Sequence, residues 1–246
     1  MMKRKIITTI IILAILSTIV IVVANLSLKV KKQGEDVSGF VVEFNGSKRY
    51  TDDELEKYFF VDDKDRNPLM FLLTDLFSDK KQIPFVETYD VEIESPFLYK
   101  VTIYEKSIVG YLKYMGSNMY FDKDGIVVES SERLLEDVPL ITGLEFDSIV
   151  LHSKIPVKEK NTFSDLLNVT QCLEKYDIVV DKIHMTKTLE FIITLGNVKV
   201  ELGINDMMNE KVKDLYDIIP SLLDVNGTLY MNEYKADGSG YTFRKE

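Results

Sequence analysis

The sequence predicts an α+β fold: an N-terminal transmembrane helix, then a βααββ unit, then a larger β-rich domain with flanking helices. Three observations predict it. Ile6 to Leu28 is a 23-residue stretch without a charged side chain. Beyond it, apolar residues alternate between helical and strand spacing, with Gly, Pro and Asn punctuation between the runs. No internal repeat or low-complexity tract interrupts that order, and 46% apolar content is enough for a packed core.

The uncharged stretch comes first. Spanning ~30 Å of hydrocarbon takes ~20 apolar residues in a helix, so 6–28 is long enough. A cleaved signal sequence is the competing reading. Its apolar region usually runs only ~7–15 residues, and length favours an uncleaved anchor. Lys3, Arg4 and Lys5 precede the stretch and Lys29, Lys31 and Lys32 follow it, so charge alone barely orients it. A short stub before a long exported region favours a cytoplasmic N-terminus and an extracytoplasmic C-terminus, a single-pass type II arrangement in the cell membrane. The expected division is a stub at 1–5, the membrane helix at 6–28, a linker at 29–38, a first unit at 39–104 and a second at 105–246.

Charge is unevenly spread. Residues 1–32 hold six of the 30 cations and none of the 40 acids, so the remainder carries 24 against 40, a net of −16. Phosphate recognition needs clustered Lys and Arg, which argues against nucleic acid as a partner. The single cysteine, Cys172, excludes an internal disulfide and reads as a small buried apolar residue on a helix.

In the first unit, Phe40 to Phe44 is a strand, closed by the Asn45-Gly46 turn signal. Thr51 with Glu54 three residues later is a capping box that opens a helix. Asn67-Pro68 opens a second helix, with Leu69, Leu72, Leu73, Leu76 and Phe77 as its apolar face. Glu87–Glu94 and Tyr99–Ile103 form an antiparallel strand pair around Ser95-Pro96.

In the second unit, Ile108–Met115, Asn118–Asp122 and Ile126–Val128 form a three-strand meander. Pro139–Gly143 is a short buried segment. A helix from Thr162 carries Phe163, Leu166, Leu167, Thr170 and Leu173 on one side. Strands at 178–184 and 188–195 follow, and Gly196-Asn197 makes a hairpin to Val198–Leu202. Asn205-Asp206 caps a helix with Met208, Val212, Leu215 and Ile219 inward, and Pro220 ends it. Thr228–Tyr234 and Tyr241–Arg244 are the last strands.

Little here is equipped for catalysis. His152 and His184 have no partners at metal-ligand spacing. Asp122-Lys123-Asp124-Gly125 begins like a calcium loop, but lacks the closing Glu and reads as a turn. Nucleotide-binding glycine loops, the nucleophile elbow and the zinc-protease helix are all absent from the sequence. Asp52-Asp53 and Asp62-Asp63 read as solvated acids. No catalytic, cofactor or metal residue is assigned, no small-molecule substrate is expected, and the chain is read as a non-enzyme. A glycosidase dyad stays open, since its carboxylates need not be neighbours in sequence.

Several stretches carry a resemblance. Val41-Glu43-Asn45 with Thr51-Asp52-Asp53-Glu54-Leu55 is one. Ile83-Pro84-Phe85-Val86 through Val91 and Pro96 to Val101-Thr102-Ile103-Tyr104-Glu105-Lys106 is another. Met119 to Val127, followed by Pro139-Leu140-Ile141-Thr142-Gly143, is the third. In order and spacing they resemble the FtsQ/DivIB family of bacterial division proteins, over nearly the whole chain. The chain departs from the family pattern at Ser107, where Pro is usual, at Asn45-Gly46, and in an unusually apolar second helix, Phe71-Leu72-Leu73.

The resemblance implies that 39–104 is a POTRA domain and 105–246 the family's β domain. It further implies a non-enzymatic divisome scaffold at the division septum. Its partners would be FtsL-type and FtsB/DivIC-type bitopic proteins and, through them, the septal penicillin-binding protein and its glycosyltransferase. In the family the β domain offers its last strand to a partner. A terminal edge strand can template a partner strand on physical grounds too. The expected partner-binding residues are Tyr230, Asn232 and Tyr234, with Tyr241, Phe243 and Arg244; the alternative is that these aromatics cover the sheet's own core. Other readings are a membrane-anchored cell-wall-binding or peptidoglycan-hydrolysing protein and, ranked last, an anchored assembly factor.

Overall fold

The computed structural model describes Ala14, Ser17 and residues 41–95, 98–234 and 238–246. The expected stub, the linker and all of 6–28 except Ala14 and Ser17 lie outside the described residues. The fold class needs one correction. Among the described residues no helix is long and apolar enough to cross a membrane. The longest, Thr162–Lys175, has 14 residues, about 21 Å at ~1.5 Å per residue against roughly 30 Å of hydrocarbon. The structure is a mixed α+β chain with four α-helices and twelve strands among those residues.

The chain divides into two compact units. The first holds residues up to Lys81 together with Thr88–Tyr104; the second holds Gln82–Glu87 together with Glu105–Glu246. The chain therefore crosses between them three times, at 81/82, 87/88 and 104/105.

The first unit runs β1 (Val41–Asn45), α1 (Asp52–Phe59), a 3-10 turn, α2 (Pro68–Phe77), β2 (Val86–Ser95) and β3 (Leu98–Glu105). The sheet order is β1-β3-β2, with β1 parallel to β3. The capping box forms: Thr51 accepts from the Glu54 N–H, and the Glu54 carboxylate accepts from the Thr51 N–H at 2.9 Å. Phe59 centres the core, with Tyr89 4.8 Å and Phe44 5.2 Å away. Lys81 Nζ ties α1 down by donating to the Phe59 carbonyl at 2.6 Å and to Asp65 at 3.0 Å.

The apolar face expected for α2 is corrected. Among its described side chains Phe71 is the one it buries, packed on Phe59, Phe60 and Tyr99. Leu73, Leu76 and Phe77, expected inward, are exposed. Periodicity marks a stripe but not which side meets the sheet, and α2 is apolar on more than one side.

The second unit is one mixed sheet of nine strands in the order β12-β11-β10-β9-β8-β7-β4-β5-β6. The meander is β4 (Gly110–Tyr114), β5 (Ser117–Phe121) and β6 (Val127–Ser131). Beside it lie β7 (Leu140–Thr142), β8 (Lys182–Met185), β9 (Phe191–Leu195) and β10 (Val198–Gly203), then β11 (Gly227–Tyr230) and β12 (Thr242–Lys245). Two helices pack on it: α3 (Thr162–Lys175) buries Phe163, Leu166 and Val169, and α4 (Met208–Ile218) buries Met208, Val212 and Leu215. Pro220 follows in a 3-10 turn, so α4 stops where the missing N–H requires. The cap expected at Asn205-Asp206 is corrected: Met207 stands at the N-cap with φ 45° and no side-chain cap bond, because Asp206 is engaged by Lys211.

Residues 82–87 form a plug in the second unit. Phe85, with φ 64°, is fully buried and stands edge-on to Tyr120 at 5.0 Å. Its N–H donates to Glu129 at 3.1 Å, its carbonyl accepts from the Lys106 N–H at 2.8 Å, and Lys106 Nζ closes the ring on Glu129 at 2.9 Å.

Candidate functional site

Among the described residues the nine strands leave two sheet edges, and β12 forms the C-terminal one. Its register on β11 is antiparallel, with Thr228 opposite Arg244, Leu229 opposite Phe243 and Tyr230 opposite Thr242. The Glu246 N–H donates to the Asn226 carbonyl at 3.1 Å. Hydrogen-bonded pairs alternate along an antiparallel ladder, so Arg244 and Thr242 also bond inward to β11. That directs the N–H and C=O of Phe243 and Lys245 away from the sheet, where a further strand would pair.

Side chains divide the same way. Phe243 and Tyr241 are half-buried against the core, and the Tyr241 hydroxyl donates to Asp214 at 2.8 Å. Both side chains thus pack in part on the sheet's own core. Arg244 is exposed on the opposite face, beside exposed Lys245. Cations on an edge discourage copies of a chain from pairing with themselves.

The other three expected residues are only partly brought here. Tyr230 is the last residue of β11 and half-buried. The strand expected over Thr228–Tyr234 is corrected: β11 runs Gly227–Tyr230, so Asn232 and Tyr234 lie beyond its ladder. The strand stops because the chain is gripped there. Lys211 of α4 is fully buried, and its Nζ donates to the carbonyls of Leu202 at 2.9 Å and Asn232 at 3.0 Å and to Asp206 at 2.6 Å. Gly203, at φ 74°, presses on the same place; a Cβ there would sit 2.7 Å from the Asn232 carbonyl oxygen.

Lys211 and Gly227 were missed in the sequence. Lys211 had a signal, since it stands three residues after Met208 and four before Leu215, on their face. Gly227 had none beyond its turn motif. A Cβ at 227 would clash with the Arg244 carbonyl oxygen and meet the Phe243 ring at 2.8 Å, so only glycine lets β12 seat.

The remaining chemistry-bearing residues are accounted for locally. His184 lies on interior strand β8 rather than at an edge, its Nδ1 3.0 Å from Thr142 Oγ1. His152 is exposed. Asp122 Oδ1 accepts from the N–H groups of Asp124 and Ile126 at 2.9 Å, an Asx turn. Cys172 is buried on α3, and burial pushes its thiol up. The chain matches no protein-family model and no curated protein sequence.

Proposed function

We propose that this chain is a non-enzymatic scaffold of the bacterial divisome that captures a partner strand on β12. In this reading it links FtsL-type and FtsB/DivIC-type bitopic proteins to the septal peptidoglycan synthesis machinery, on the extracytoplasmic side of the septum. The observation that carries it is β12 as the edge of the sheet among the described residues, with outward backbone groups at Phe243 and Lys245 and with Tyr241 and Phe243 packed partly on the core. The β-α-α-β-β order of the first unit supports the family resemblance behind the choice of partners.

The edge is tested by Lys245→Pro in the full chain. Proline removes one of the two β12 N–H groups, those of Phe243 and Lys245, that point away from β11, and it is tolerated on an edge strand. Capture of the FtsB/DivIC-type partner should fall about two- to tenfold, the scale of one lost backbone bond, while Lys245→Ala should keep it. Equal capture by both variants refutes strand addition at β12. Shortening the chain after Met231 should abolish capture. Imaging of a fluorescently labelled chain in dividing cells tests the setting, since an even rim without a mid-cell band contradicts a role in division.

A further inference from the structure

Helix α2 turns the wrong face to solvent for a water-exposed helix. Its ten residues, Pro-Leu-Met-Phe-Leu-Leu-Thr-Asp-Leu-Phe, contain one charge. At 100° per residue, Met70, Leu73, Leu76 and Phe77 fall within one 120° sector. That sector lies opposite Phe71, the residue α2 buries. All four are exposed, at 43%, 38%, 63% and 82%. Scattered exposed apolar residues are ordinary, but a contiguous face of this kind marks a contact.

The flanking charges are turned to local use. Asp75 takes Lys80 at 2.7 Å, Asp65 takes Lys81 at 3.0 Å, and the Arg66 guanidinium lies 5.4 Å over the Phe60 ring. The outward sector is thus apolar without an ionic pattern that would select a charged protein surface.

Chain connectivity indicates what covers it. Residues 6–28 carry no charge and are rich in Ile, Leu and Val. A run of that composition favours lipid over water wherever its backbone groups are hydrogen-bonded. Residues 29–40 join it to β1, and twelve residues reach at most roughly 40 Å. The first unit is thereby held within that distance of any lipid surface the run enters. Twelve residues is too short a tether to let the unit roam, so an apolar face on it meets lipid at high effective concentration.

We propose that Met70, Leu73, Leu76 and Phe77 of α2 form a lipid-contact surface that lays the first unit on a bilayer. Its partner is the zwitterionic headgroup–acyl boundary. Residues 41–81 and 88–104 carry eight cations against thirteen acids, which disfavours an anionic surface. The contact is interfacial, by apolar side chains at the boundary. It is independent of strand capture at β12.

The chain contains no tryptophan, so one introduced tryptophan reports alone. The experiment uses the full chain carrying Phe77→Trp, bound to phosphatidylcholine vesicles with or without bromine on the acyl chains. Full chain carrying Tyr216→Trp, an exposed position on α4, is the control. With Phe77→Trp, vesicles should shift the emission to shorter wavelength and the brominated lipid should remove most of its intensity; Tyr216→Trp should show neither. Adding Leu76→Asp should reverse most of the quenching. With vesicles, three results overturn the proposal: unquenched Phe77→Trp emission on protein that floats with them, equal quenching at both positions, or failure of the protein to float at all. A blue shift without vesicles that grows with protein concentration also overturns it, and assigns the face to a second copy.

Discussion

Helices α2 and α3 make an instructive pair. The more apolar of the two is the less buried. α3 alternates Asp, Asn, Gln and Glu with its apolar residues, and its inward stripe of Phe163, Leu166, Val169, Cys172 and Leu173 disappears under a nine-stranded sheet. α2 has almost no polar face, yet its three-stranded sheet takes in Phe71 and leaves the opposite side open. The difference lies in the surface each helix meets. A sheet layer covers one stripe of a helix, and apolar residues beyond that stripe need another partner.

The contrast can be broken by substitution. Leu166→Ala in α3 should give the largest loss, about 2–5 kcal/mol in chemical unfolding, because the buried side chain leaves a cavity. A loss as small as a surface change would mean that α3 is not packed as described. Lys211→Ala comes next. It leaves buried carbonyls unsatisfied at the end of β11, worth about 1–3 kcal/mol. Amide exchange should also rise around Asn232, and unchanged protection there would remove Lys211 as the grip on that segment.

The first unit should answer to acid instead. Burial acts to raise the Asp65 carboxyl, but the bond from Lys81 and the backbone N–H groups of Asp62 and Val61 outweigh it and hold it below the ordinary range. The stability it adds is full above about pH 4 and is lost as pH falls through the lower folded value. Asp65→Asn should therefore destabilise at pH 7 and have less effect at pH 2–3. An equal loss at both pH values would assign its role to packing. Phe77→Ser on α2 should be smallest, within about 0.5 kcal/mol in water, as for surface changes. A loss matching that of Leu166→Ala would show that the outward face is core.

Local chemistry was the legible part of this fold. Thr51 and Glu54 announced the start of α1, Gly196-Asn197 the β9–β10 hairpin and Pro220 the end of α4, because each acts within a few residues. Alternation also located both final strands to within a few residues. The facing of α2 was illegible, since its stripe has no polar side to contrast with. The end of β11 was illegible because it is set by a lysine from another element; alternation runs on to Tyr234, past the point where Lys211 takes the Asn232 carbonyl. At the candidate edge the sequence placed Tyr241 and Phe243 on a common face, but which face depends on the β11 register.

The plug around Phe85 has a consequence for how such a chain can be inherited. Residues 82–87 are encoded between parts of the first unit but fill a socket in the second, against Tyr120 and Glu129. A recombination joint at 104/105 would transmit the second unit without its plug, uncovering the Tyr120 ring and depriving Glu129 of a backbone donor. Neither unit is a cassette that can be exchanged by one crossover. Descent with small substitutions is the easier path, and shuffling would succeed only if the Ile83–Val86 stretch travelled with the sheet it completes.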